Sequence, residues 1–525
     1  MRIFRNLLWA ACAAGVLTGC GGGGSSGASV NNSGARGTLI ENPPLRVASV
    51  NATKLNAQLN SSPSGQDLLL VAGTPKCGID YHYIQYATVG GAGEATTATG
   101  VMMVPTGSAA PCTGPRPIVL YAHGTSTVKS FNLAAIGDPN NDAYGEGALI
   151  AAMFAAQGYI VVAPNYAGYD ASTLPYHPYL NADQQSKDMI DALTAARSAL
   201  GHVFASATTD NGKLFIAGYS QGGHVAMATH RALEALGQKV TASAPMSGPY
   251  AMEAFGDAVV LGQVNQLSTV FLPMIATSYQ KSYGGLYSAT SDLYEAAYAT
   301  GIESLLPSPP PMNTIDSLFT SNKLPLFALF SSTTPVTGNA ALDAALAVPS
   351  NPLFASGFGT GNLVKNSVRV AYAQDALTNP DGAQPTVQSG APLASNPSYI
   401  LRAKLKLNDM RNGGFAPKAP TLLCGGKDDP MVFFSVNAGT MQAFWAPLNL
   451  PAGLVTVLDL ETGLGTADPF AAAEQGFALA KRLIAAQAVA AGATDGGQSA
   501  VIQSYHGQLV PPFCTAAARG FFDQF

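Results

Sequence analysis

The chain is short of charge. Only 11% of its 525 residues are Asp, Glu, Lys or Arg, against about 25% in an average soluble protein, and the net charge is −5. No cluster of Lys or Arg occurs anywhere, and neutralising a run of phosphates needs one; nucleic acid is therefore excluded as a partner. There are six cysteines, none at the short spacing of a metal site. Asp138-Pro139-Asn140-Asn141-Asp142 alternates oxygen ligands as a calcium loop does, but lacks the distal bidentate Glu, so it reads as a solvated turn and no metal is expected. Internal repeats are absent. Histidine is scarce, with seven in all, and this scarcity makes each one informative.

Against that background Gly218-Tyr219-Ser220-Gln221-Gly222 stands out. It follows Lys213-Leu214-Phe215-Ile216-Ala217, an apolar run of strand length, and leads into Gly223-His224-Val225-Ala226-Met227-Ala228, which reads as a helix. Strand, Gly-x-Ser-x-Gly and helix in that order form a nucleophile elbow. The turn is so tight that both flanking positions must be small. Ser220 is left at its apex, and the Gln221 N–H at a helix start, aimed at a developing oxyanion.

An elbow serine takes its acid and then its base from further along the chain. Only His506 lies far downstream of Ser220, in Ser504-Tyr505-His506-Gly507-Gln508, a polar stretch expected to be a loop. His224 is four residues past the serine, inside the elbow helix, and reads as packing or helix surface. For the acid, Pro420-Thr421-Leu422-Leu423-Cys424 is a strand, and Gly425-Gly426-Lys427-Asp428-Asp429-Pro430-Met431-Val432 is the loop leaving it. Two carboxylates compete there; Asp429 is placed ahead of Asp428 because Gly426, Asp429 and Val432 fit a Gly-x-x-Asp-x-x-Val spacing. Upstream, Pro117-Ile118-Val119-Leu120-Tyr121-Ala122 is another strand, followed by His123-Gly124-Thr125. Thr125 N–H is the candidate second oxyanion donor, and His123 is expected to hold that loop by hydrogen bonding.

In this order the His-Gly, elbow serine, Gly-x-x-Asp and late histidine resemble the α/β-hydrolase superfamily, and within it the bacterial secreted and lipoprotein lipases and esterases, including the secretory-lipase group. The likeness runs from about residue 81 to the end, interrupted by a long insertion. It implies an α/β fold with a mostly parallel sheet flanked by helices and an inserted, mainly helical cap. It also implies a serine hydrolase acting on carboxylic esters through a Ser220–His506–Asp429 triad and an acyl-enzyme, with no cofactor. A serine peptidase of the same fold and a non-catalytic binding protein on a hydrolase scaffold are the alternatives.

The N-terminus carries Arg2 and Arg5, an apolar stretch from Leu7 to Leu17, and Leu17-Thr18-Gly19-Cys20. This is a secretory signal, too short to span a membrane. Its last four residues resemble a lipobox, which would make Cys20 a lipidated first residue after signal removal at 1–20. Residues 21–44, Gly- and Ser-rich at the start, read as a flexible tether. Export, with a lipid anchor in a bacterial, outer membrane or release outside, is the expected location. The partners expected are an ester substrate, possibly lipid, and that membrane; no protein partner is evident. Cys12 leaves with the signal, so four cysteines remain, with three possible pairings. Cys77 and Cys112 flank the first strand pair; Cys424 ends the acid strand and Cys514 follows the histidine. Paired in that way, the second bridge would clamp the acid and base loops together, in an oxidising compartment.

The coarse element order agrees with an α/β class: strands at 81–89 and 98–104, the strand ending at Ala122, a helix 147–157, a strand 159–163, a helix 183–200, the elbow, and a strand 240–245. Ser220 and Asp429 are 209 residues apart, where about two strand–helix units of roughly 30–50 residues would suffice. The surplus falls in 250–396, rich in Tyr, Phe, Leu and Pro. The expected organisation is therefore core 45–249, cap 250–396 and core 397–525. A cap of this composition should bury an apolar acyl group, favouring medium or long acyl esters over acetate.

Overall fold

The computed structural model describes residues 34–200, 208–309, 314–462 and 468–525. The signal, Cys12, Cys20 and the first part of the tether lie outside the described residues. Among the described residues eleven strands run in chain order as β1 (Leu45–Val50), β2 (Gly78–Val89), β3 (Ala95–Thr106), β4 (Gly114–Ala122), β5 (Ile160–Pro164), β6 (Thr208–Tyr219), β7 (Ala242–Met246), β8 (Phe330–Ser331), β9 (Phe358–Gly359), β10 (Thr421–Gly425) and β11 (Val455–Asp459). Nine of them form one sheet in the order β1-β2-β3-β5-β4-β6-β7-β10-β11. The first three strands and their junction with β5 are antiparallel; every pairing from β5 to β11 is parallel.

The sequence of the central strands explains their place. Ile160-Val161-Val162-Ala163 and Leu214-Phe215-Ile216-Ala217 are buried throughout. A strand apolar at every position must be covered on both faces, as parallel sheets are. Helices Ala182–Leu200, Gln221–Ala235 and Val510–Phe522 help to cover them. Pro63 stands in the first turn of helix Pro63–Ala72 behind an Ser62 cap that accepts from Gly65 N–H, a start signal of the usual kind.

Two differences from the sequence reading appear here. β1 lay inside a stretch without a clear period, its first residues being exposed. The end of the expected tether is also pinned: Gly37 N–H and Ile40 N–H donate to Ala87 O and Gln85 O, both at 2.8 Å, and Leu39 is buried. Residues 37–40 thus run along β2 rather than hanging free, because Leu39 removes its side chain from water there.

Between β7 and β10 the described chain is mostly short helices plus the two-residue pair β8–β9. They enclose an apolar cluster of their own, including Val270, Met274, Tyr279, Tyr294, Leu318 and Leu363. Two buried arginines pin this region down. Arg402 binds Asp257 bidentately at 2.7 Å and meets Asp375 at 3.4 Å and Glu253 at 3.8 Å; Arg411 binds Asp381 and Asp409, each at 2.8 Å.

Candidate active site

Ser220 joins β6 to the helix Gln221–Ala235 with φ 58° and ψ −122°, a conformation that costs a non-glycine residue of order 1–3 kcal/mol and persists only where the surroundings impose it. Glycine neighbours make the turn possible. A Cβ at position 218 would lie 2.2 Å from Gly222 O, and one at 222 would lie 1.9 Å from Ala122 O. The Ser220 N–H donates to Met246 O at 3.0 Å, which ties the elbow to the end of β7. Gln221 N–H belongs to the first turn of the helix, where N–H groups have no partner within the helix.

His506 and Asp429 meet this serine. Ser220 Oγ lies 2.8 Å from His506 Nε2, and His506 Nδ1 lies 2.6 Å from Asp429 Oδ2. The arrangement assigns the ring proton to Nδ1, donating to the carboxylate, and leaves Nε2 to accept from the hydroxyl. The other oxygen of Asp429 accepts from Met431 N–H at 2.9 Å and Val432 N–H at 3.0 Å, so the loop's own backbone fixes the carboxylate. Asp428, one residue away, is exposed.

The expected loop around His506 is corrected. Residues Tyr505–Leu509 form a π-helical turn between the helices Gln498–Ser504 and Val510–Phe522. Val510 N–H donates to Tyr505 O across five residues. The next bond in that series would come from residue 511, but Pro511 has no N–H to give. The His506 carbonyl instead accepts from the Tyr219 hydroxyl at 2.6 Å. The residue before the nucleophile thereby holds the backbone of the histidine. His224 is also refined: it is fully buried, with Nε2 2.9 Å from Asn408 O, so it packs and does not face solvent.

The loop after β4 lies against the elbow; a Cβ built on Gly124 would be 3.9 Å from Ser220 Cβ. Gly124 N–H is already used, donating to Glu146 Oε1 at 3.0 Å, which leaves the Thr125 N–H as the loop's candidate donor. The Thr125 hydroxyl pairs with Tyr179 OH at 2.8 Å. His123 stacks between Phe131 and Tyr166, with its ring nitrogens 2.6 Å from Gly124 O and 3.1 Å from Asn165 O. Burial lowers its pKa to about 4, against the opposing pull of those two carbonyls. Burial likewise pushes Glu146 up to about 7, opposed by hydrogen bonds from Tyr121 OH and Gly124 N–H.

Gln221 is oriented by a histidine absent from the sequence reading. His177 is buried and held near pKa 3 by that burial. Its Nδ1 donates to Ala167 O at 2.9 Å, and Nε2 accepts from Gln221 Nε2 at 2.7 Å. A neutral ring with one proton permits only this direction. Gln221 Oε1 is left without a partner.

The site opens into a concave, mostly apolar cavity, the kind of lining that small-molecule sites have. Ser220, Gln221 and Tyr179 line it on the core side, while Phe255, Phe271, Leu272, Leu329 and Val368 line it on the cap side. Among the described residues no Asp or Glu lines it, and Arg369 is its one charged side chain. Two disulfides stand outside it: Cys77–Cys112, and Cys424–Cys514, which joins β10 to the helix following His506.

Sheet, elbow and late histidine together define the α/β-hydrolase fold. Residues 148–263 match the profile of the prolyl oligopeptidase family, a stretch running through β5, the elbow and the first cap helix. Comparison with curated proteins gives no match. Among solved structures, the rice cell wall degrading esterase LipA from Xanthomonas oryzae is 27% identical, with 85% of this chain and 95% of that one covered and a TM-score of 0.61. Its ligand-bound form is 24% identical over 94% of this chain and 100% of that one, with a TM-score of 0.65. A hydrolase-assigned protein of Legionella pneumophila, 18% identical over 93% and 97% with a TM-score of 0.60, shares the fold.

Tyr219, Glu146, His177 and Arg369 were not singled out from the sequence. In a chain this poor in charge, an isolated Glu at the start of an apolar helix or an Arg between valines is itself a signal. Tyr219 carried none, since any residue is allowed at that position of the elbow motif.

Proposed function

We propose that the protein is a serine hydrolase of carboxylic esters. The observation that carries this reading is the unbroken hydrogen-bonded series Ser220–His506–Asp429 opening on an apolar cavity. Ser220 Oγ attacks the acyl carbon while His506 Nε2 takes its proton; the tetrahedral oxyanion rests on the N–H groups of Gln221 and Thr125. His506 then protonates the leaving alkoxide, and water repeats the sequence on the acyl-enzyme. Asp429 orients the ring and stabilises the imidazolium. The cap side of the cavity takes the acyl chain, which favours medium and long chains over acetate. Ser220→Ala should lower p-nitrophenyl ester turnover by about 10⁴-fold or more and abolish fluorophosphonate labelling, with an unchanged melting temperature; retained turnover would remove the assignment. A series from two to sixteen carbons tests the chain preference.

The prolyl oligopeptidase match favours peptide cleavage as a second reading. Against it, no carboxylate among the described residues lines the cavity to meet a substrate amine. Matched acyl esters and aminoacyl anilides separate the two, and a thousandfold preference for the anilide would reverse their order. Export with lipidation at Cys20 is part of the proposal; the two disulfides support an oxidising compartment. Labelled palmitate should enter the wild type and not Cys20→Ser.

A further inference from the structure

Arg369 is the odd residue of the cavity wall. It projects from the helix Asn366–Thr378 and is 1% exposed. Its Nε donates to Val260 O at 3.1 Å and its Nη1 to Leu346 O at 2.8 Å. These carbonyls end the helices Met252–Val260 and Ala340–Ala345, where a cation is favoured. Phe330 and Phe358 cover the guanidinium at 4.9 and 4.8 Å, a cation–π arrangement. Nη2 is buried and has no partner.

The other buried arginines are treated differently. Arg402 and Arg411 each face carboxylates at 2.7–2.8 Å, whereas no carboxylate among the described residues pairs with Arg369. Two carbonyl dipoles and two aromatic faces hold its charge in place without neutralising it. Burial lowers its pKa only to about 10, so it remains cationic at neutral pH. A buried, uncompensated charge with spare donors is the arrangement that discriminates most strongly for a ligand supplying the missing acceptor.

We propose that Arg369 binds a carboxylate carried on the acyl chain, so that the preferred substrates are half-esters of dicarboxylic acids, with the ester at Ser220 and the free carboxylate on Nη2. This rests on the ester-hydrolase reading for the reaction, but the binding of the carboxylate stands apart from it. No covalent step is added: Ser220 takes the acyl group as before, and the carboxylate only positions it.

The test compares mono-p-nitrophenyl esters of dicarboxylic acids with six to fourteen carbons against alkanoate esters of equal length. At the best length the half-ester should exceed the alkanoate in kcat/KM by about tenfold or more. That ratio should collapse in Arg369→Met and fall part-way in Arg369→Lys, which keeps the charge and loses the fork. A wild type that prefers the alkanoate at every length overturns the proposal. So does an unchanged ratio in a folded Arg369→Met, since that is what helix capping alone would leave. Should the variants not fold, product inhibition of the wild type decides: free dicarboxylates must inhibit at least about tenfold better than monocarboxylates of the same length. If neither ester class turns over and fluorophosphonate leaves Ser220 unlabelled, the hydrolase reading has failed. Calorimetric binding of dicarboxylates to the full chain then judges the Arg369 site by itself.

Discussion

The two walls of the cavity are built in opposite ways. On the core side, position comes from backbone: glycines whose Cβ would strike a carbonyl, two N–H groups holding Asp429, and a tyrosine hydroxyl holding the His506 carbonyl. On the cap side, short helices are anchored by buried ions. Two guanidinium groups there face five carboxylates, of Glu253, Asp257, Asp375, Asp381 and Asp409. Burial, with Asp381 alongside, raises Glu253 well above the carboxylate range, so a proton completes the cluster. Backbone restraint leaves the core side one pH-sensitive contact, Glu146 on the Gly124 N–H, whereas the cap's anchor is ionic throughout and loosens with pH. The walls should therefore respond differently to the same perturbation.

The largest expected effect lies on the core side. Asp429→Asn should reduce kcat by about 10⁴-fold, while Asp428→Asn should leave it within about twofold, as for an exposed carboxylate away from the reacting atoms; equal effects would mean that the acid is misassigned. On the cap side, Arg402→Met leaves Asp257 and Asp375 without their cation and should cost about 3–5 kcal/mol, measured by urea unfolding. If the walls are independent, long-ester turnover should then fail at lower urea than short-ester turnover, and simultaneous loss would show that they fold as one.

Protonation gives a finer separation. The Glu253 pKa is raised on folding, so its stabilising contribution is complete below the unfolded value near 4.5 and is lost as pH rises toward the folded value. Glu146, with its folded pKa near 7, acts in the same direction between about 4.5 and 7, by roughly 1–3 kcal/mol. Glu253→Gln should flatten the alkaline fall in melting temperature without altering short-ester kinetics at neutral pH; an unchanged slope would place the proton elsewhere. The smallest effect is expected from Val368→Phe, which narrows the cavity on the cap side. It should shift the optimum toward shorter acyl chains by about threefold in the ratio of kcat/KM values.

The same contrast governs what could be read from the sequence. β4, β5, β6, β7 and β10 announced themselves as apolar runs, because strands buried on both faces need no alternation. The elbow glycines were legible because their constraint is steric and local. The helix around His506 was not: its polar stretch imitates a loop, and the π-helical turn depends on the missing N–H of Pro511 and the long-range bond from Tyr219. In the cap, elements such as Ala296–Ala299 and Pro352–Ala355 are too short to show a period. Its ion cluster draws on residues 253 to 411, a span over which spacing carries no information.

The histidine's distance along the chain from the serine also sets a clock. Ser220 and its glycines could form as soon as β7 is made, but the base arrives almost three hundred residues later, on a segment that must seat Phe522 against Phe215 and pass the Asp523 carboxylate to Tyr159. A chain stopped short of His506 carries the serine with no base beside it. The meeting of serine and histidine therefore waits on 286 further residues.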